Sequence, residues 1–169
     1  MIYPIVKYGQ DVLEKPAEAI ETFDGDLQKL VDDMFETMYA ANGVGLAAPQ
    51  IGILKRLCVI DVSLGKDPSA KLVLANPIVL STEGKQQEEE GCLSLPDFHA
   101  VTKRPLRASV QAQDLLGNEI TLAGEALLAR AFCHEIDHLN GVLFIKHLSK
   151  LKRDSIRRKV KKMMKAGEW

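Results

Sequence analysis

The segment His134-Glu135-Ile136-Asp137-His138 constrains this chain more than any other, because its chemistry exists only if the segment is helical. Residues four apart on an α-helix project from one face, so two imidazoles at that spacing can close on one divalent cation. Glu135 then sits beside the ion without having to bind it, placed to take a proton from a metal-bound water. The preceding Ala126-Leu127-Leu128-Ala129-Arg130-Ala131-Phe132 is rich in good helix formers, and Asn140-Gly141 supplies a stop. The competing reading is a solvated helix that happens to carry two histidines.

A catalytic metal normally takes three protein ligands and keeps one position open. Downstream of the motif the only histidine is His147, nine residues on and expected at the surface, and the only glutamate is Glu168, almost at the end of the chain. Upstream lies Glu90-Gly91-Cys92-Leu93-Ser94-Leu95-Pro96, in which Cys92 reads as an exposed turn or strand end. A lone cysteine is usually a small buried hydrophobe. Beside an incomplete two-histidine site, Cys92 becomes the candidate third ligand, with His134 and His138.

Three segments together resemble the signature motifs of peptide deformylases: Gly43-Val44-Gly45-Leu46-Ala47-Ala48-Pro49-Gln50, Glu90-Gly91-Cys92-Leu93-Ser94 and His134-Glu135-Ile136-Asp137-His138. They occur in that family's order, and the resemblance spans about the whole chain. It implies removal of the formyl group from the N-terminal methionine of new polypeptides. It also implies that the Gln50 amide and the Leu93 N–H hold the developing oxyanion, donors commonly worth about 2.7–4 kcal/mol each. Substrate contacts are implied at Gly43, Val44, Gly45, Glu90, Gly91, Leu127 and Ala131, with an apolar methionine pocket near Val44, Leu127 and Ala131. Arg130 fits such a pocket poorly and is expected to pair with Glu90. Cys133 stands where many relatives carry glutamine, and Asp137 points about 100° away from each neighbour; neither is expected to ligate. One thiolate and two imidazoles suit Zn(II), whereas the resemblance implies Fe(II) in cells, with Zn(II), Ni(II) or Co(II) as substitutes.

With 169 residues, 46% of them apolar and 27% charged, the chain is expected to form one domain with a sizeable core. No run of 18 apolar residues and no signal-peptide pattern appear, so a cytoplasmic, non-membrane protein, expected as a monomer, is the default. Three cysteines (Cys58, Cys92, Cys133) argue for reduced thiols.

An amphipathic helix is expected from Asp24 or Asp26 to Ala41, with Leu27, Leu30, Val31, Met34, Phe35 and Met38 on one face. Ala47-Ala48-Pro49 reads as extended. Strands are expected at 56–62, 71–75, 78–80, 107–114 and 119–122, then the motif helix and a basic helix from about Ser149 to Ala166. The class is α+β: short antiparallel or mixed sheets around the HExxH helix, with residues 1–148 catalytic and 149–169 a basic C-terminal helix of the same domain.

The net charge of −1 hides an asymmetry: ten Lys or Arg against Asp154 and Glu168 from Lys146 onward leave that tail near +8 and the remainder near −9. Leu151, Ile156, Val160, Met163 and Met164 are expected to pack on the domain, leaving Lys152, Arg153, Arg157, Arg158, Lys161, Lys162 and Lys165 exposed. A cationic helix on an acidic domain suits docking on a polyanion, the ribosome by resemblance. Three rivals remain: an HExxH endopeptidase, a Cys92 nucleophile with His134 as base, and a structural metal clip in an RNA-binding module. Phe98 and His99 either flank a substrate beyond its first residue or form a solvent-facing pair at a loop end.

Overall fold

The computed structural model describes residues 1–169 and places two helices on opposite faces of one antiparallel sheet. Helix α1 (Gly25–Ala40) starts where the Asp24 carboxylate accepts from the Leu27 N–H at 3.0 Å, and its apolar stripe is buried as its spacing demands. The sheet runs in the order β1 (Gly45–Ala47), β2 (Leu57–Ile60), β3 (Leu72–Glu83), β6 (Arg107–Gln113) and β7 (Glu119–Glu125). Between β3 and β6 the chain makes a separate hairpin, β4 (Gln86–Cys92) and β5 (Leu95–Arg104). Helix α2 (Leu127–Leu139) carries the HExxH residues.

Strand alternation divides the core. Leu57 and Val59 of β2 face α1, packing with Val31, Met34 and Met38, while Cys58 and Ile60 face α2 and meet Phe132, Ile136 and Leu139. All four β2 residues are buried, as expected of a strand covered on both faces. A third cluster joins the hairpin to the C-terminal part: Leu95 packs with Leu143, Phe144 and, from α3 (Lys150–Lys165), Ile156 and Val160.

The α+β single-domain reading stands, with corrections. Every ladder is antiparallel, so the sheets are not mixed; a lone parallel bridge joins Glu18 and Lys55. The segments 71–75 and 78–80 are one strand, bent where Asn76 (φ +50°) precedes Pro77 and the register with β6 slips. Asn76 spans the bend, accepting from the Ile20 N–H at 2.8 Å and donating to the Ile20 carbonyl at 2.9 Å. The hairpin β4–β5 was not expected, and Ala48–Ile51 is a 3₁₀ turn rather than extended chain. In α3, Leu151 is 78% and Met164 44% exposed, so only Ile156 and Val160 of the expected stripe are buried. Arg157 donates to the Tyr8 hydroxyl at 3.1 Å, and the Trp169 indole donates to the Tyr8 carbonyl at 2.7 Å. No helix is long and apolar enough to cross a membrane.

Just past the end of helix α2, Gly141 has a φ of +75° that turns the Val142 N–H back to the Asp137 carbonyl at 2.9 Å. A Cβ there would lie 2.8 Å from the Glu14 backbone. Gly141→Ala should therefore lower stability by about 1–3 kcal/mol, read from denaturant unfolding, while each folded molecule keeps its activity.

Candidate active site

Three elements converge on one cavity of about 450 Å³: the loop between α1 and β1, the β4–β5 turn and the outer face of α2. The two imidazoles of α2 sit one turn apart with Nε2 atoms 3.2 Å apart, and the Cys92 Sγ lies 3.3 Å from His138 Nε2. All three donor atoms fall within 4.8 Å of one another. Donors at about 2.0–2.3 Å from a tetrahedral ion stand roughly 3.3–3.8 Å apart, so this set needs little adjustment to close on one cation. Cys92 is the last residue of β4 and half-buried, at a strand end as expected but not exposed.

Glu90 organises the donors. Its carboxylate accepts from His134 Nδ1 at 2.7 Å, which fixes the tautomer and leaves Nε2 facing the cluster. Arg104 donates to it through Nε at 3.1 Å and a terminal nitrogen at 2.7 Å, and Arg130 at 2.6 Å. The Arg130–Glu90 pair is thus present. Burial opposes ionisation of Glu90, but His134 and Arg104 hold its carboxyl well below the usual range. Burial likewise opposes the Cys92 thiolate, yet His138 and His134 bring that thiol down to about 5. Burial works against a charged His134, and the Cys92 sulfur and Glu90 carboxylate raise it regardless. A thiolate and two imidazoles crowded together in this way form a donor set that a divalent cation would neutralise.

Glu135 is 3% exposed, and its Oε2 has no hydrogen-bond partner, while Oε1 lies 3.8 Å from His134 Nε2. Burial pushes its carboxyl up. An unpartnered buried carboxyl beside three convergent donors has an oxygen free for proton exchange rather than engaged in holding structure. Gln50 is locked: its Oε1 accepts from the Ala47 N–H at 3.0 Å, and its Nε2 donates to the Ser94 hydroxyl at 3.1 Å and lies 3.6 Å from the Cys92 sulfur. The Leu93 N–H donates to no backbone carbonyl in the turn.

Every residue expected around the substrate lines this cavity: Gly43, Val44, Gly45, Glu90, Gly91, Leu127 and Ala131, together with Gln50, Cys92, Leu93, His134 and Glu135. Two glycines are there for close approach. A Cβ on Gly43 would stand 2.7 Å from Leu93 Cδ1, and one on Gly45 would stand 3.0 Å from the Glu135 carboxyl. His99 also lines the cavity, whereas Phe98 is not part of its lining and packs edge-on against Trp169. His147 is bound to Asp137 at 2.8 Å, Asp137 in turn to Arg104 at 2.8 Å, and Cys133, on α2 itself, is half-buried against the core; none of them joins the Cys92, His134 and His138 donors. Arg104, Ser94 and Gln86 (which accepts from Arg130 at 3.2 Å) were missed, because their roles appear only once β4 and β5 are in register.

Three convergent donors that could hold a cation, beside a buried carboxyl with a free oxygen and opening on a cavity, are an arrangement suited to a hydrolytic enzyme. The chain belongs to the polypeptide deformylase family, whose model matches residues 2–154. It is 57% identical to a peptide deformylase of Acidobacterium capsulatum, over 100% of this chain and 99% of that one. A crystal structure of a peptide deformylase from Legionella pneumophila superposes with a TM-score of 0.91 at 45% identity, covering 99% of this chain and 98% of that one. One from Synechococcus elongatus, in complex with actinonin, gives 0.88 at 40% identity over 93% and 86%. Full-length identity at that level makes this chain an enzyme of the family and sets aside the RNA-binding clip and the endopeptidase.

The Gly45–Glu135 contact gives a test. Gly45→Ala should displace the Glu135 carboxyl and cut kcat by about tenfold or more with metal content unchanged, measured by steady-state kinetics and metal analysis on one preparation.

Proposed function

We propose that this enzyme removes the formyl group from the N-terminal formyl-methionine of newly made polypeptides, using one divalent ion held by Cys92, His134 and His138. The observation that carries the reading is the orphaned, buried Glu135 carboxyl beside three convergent donors at the floor of the cavity. When bound, the ion would supply Lewis acidity, acidifying a water and polarising the formyl carbonyl. Fe(II) is assigned in cells on the family resemblance, and the same donors accept Zn(II), Ni(II) or Co(II).

The chain's own residues do the rest. Glu135 takes a proton from the attacking water and delivers it to the amine nitrogen as the C–N bond breaks, releasing formate and a free N-terminus. Gln50 Nε2, held in place by Ala47 and Ser94, and the Leu93 N–H stand where the carbonyl oxygen gains charge. Val44, Leu127 and Ala131 receive the methionine side chain, with Gly43, Gly45, Glu90 and Gly91 framing its backbone. Cys92 serves as a ligand rather than a nucleophile: its sulfur is enclosed by His138, His134 and the Gln50 amide.

Residues 1–148 are read as the catalytic part and 149–169 as a basic helix of the same domain, in a cytoplasmic monomer working beside the ribosome. The exposed cations of α3 support ribosome docking.

Glu135→Gln should retain the metal and lose roughly 10²–10⁴-fold in turnover of formyl-Met peptides. Loss of the metal, or retained activity, would contradict the role of the carboxyl. For docking, Arg157 is best left in place because it bonds Tyr8. Reversing Arg158, Lys161, Lys162 and Lys165 to Glu should abolish salt-sensitive co-sedimentation with ribosomes and spare short formyl peptides; unchanged co-sedimentation would contradict it.

A further inference from the structure

Next to the active-site cavity the surface carries a second cleft of about 400 Å³, between β5 and the first turns of α3. Its lining is His99, Ala100, Leu151, Lys152, Ser155 and Ile156. His99 belongs to both hollows. Its imidazole is seated over Gly91, where a Cβ would come within 2.6 Å of the ring, so the ridge between the hollows lies where only a glycine lets it.

Three features of the cleft are unexplained by folding. Leu151 stays exposed on a helix whose packing is done by Ile156 and Val160. The Lys152 ammonium has no hydrogen-bond or ion-pair partner, since only its backbone N–H is engaged, by Ser149. The lip of the main cavity carries Glu89 and Asp97, so charge changes sign from lip to cleft.

We propose that this cleft receives the substrate polypeptide beyond its first three residues, with Leu151 giving apolar contact and Lys152 favouring an acidic side chain. The proposal rests on the deformylase reading of the main cavity. The reacting end of the substrate lies deep against α2, so the chain must leave through the mouth. An extended chain advances about 3.3 Å per residue, so a chain that leaves past His99, the one residue lining both hollows, reaches the cleft within a few residues. The occupant is the substrate itself, because the two hollows share the His99 side chain as a common wall and the free cation matches an acidic residue.

The test uses the metal-loaded enzyme with formyl-Met-Ala-Ser and with seven-residue peptides that extend it, carrying one Glu or one Lys at each of positions four to seven. At low salt the best Glu peptide should show a KM about threefold to fivefold below its Lys counterpart, with kcat little changed. Lys152→Glu should invert that ranking. It should also fold normally, because it completes a capping box with Ser149. Leu151→Ser should raise KM for the long peptides alone. Salt of about 0.5 M should erase the charge preference. Intact turnover of the short peptide with no charge preference at any position, or a preference that survives Lys152→Glu, would overturn the proposal. Failure of the short peptide would overturn the deformylase reading and this proposal with it.

Discussion

A buried carboxylate is costly unless all its lone pairs are filled, and Glu90 is the place where this protein meets that condition. Its two oxygens take four charge-assisted bonds, from Arg104 twice, Arg130 and His134. Those partners come from β5 and from α2, so one carboxylate fixes the hairpin to the helix and aims the His134 imidazole toward Cys92 and His138. Arg104 continues the network to Asp137 and, through it, to His147. Two arginines facing two acids keep the cluster close to neutral beside three donors that could hold a cation.

The rest of the architecture delivers groups to that node. The sheet covers the apolar side of α2 and leaves its polar side, with His134 and Glu135, toward the cavity. Strand β1 brings Gly45 against Glu135, and the 3₁₀ turn that follows carries Gln50 to the sulfur of Cys92. Because Gln50 is held at both ends of its amide, its donor is oriented before any substrate arrives. The hairpin turn adds Cys92 and the Leu93 N–H. The register slip between Gly91 and Cys92 makes β5 arc outward through Pro96 and Asp97, which form the lip.

Much of this was legible in the sequence. Helical period gave α1 and α2, and the HExxH spacing with an upstream cysteine picked out the trio that the fold brings together. The resemblance supplied the cavity lining. Local patterns failed where tertiary context decides. Glu88-Glu89-Glu90 lacks strand alternation, so β4 was hidden, and with it the partner of Arg104. Pro77 reads as a strand break, yet Asn76 absorbs it in a bulge. Ala47-Ala48-Pro49 gives no signal for a 3₁₀ turn, whose formation depends on Gln50 bonding back to Ala47. Leu151 fits an apolar stripe by spacing, but it stands exposed at the edge of the cleft beside β5 instead of packing into the core.

The central claim is that Cys92, His134 and His138 hold the ion on which deformylation depends. The most direct measurement is metal content and turnover of formyl-Met-Ala-Ser on one anaerobic preparation, before chelation, after it, and after return of Fe(II), Ni(II), Co(II) or Zn(II). The account predicts about one equivalent of metal per chain, loss of turnover with the metal, and recovery on its return. Full turnover by metal-free protein would contradict it.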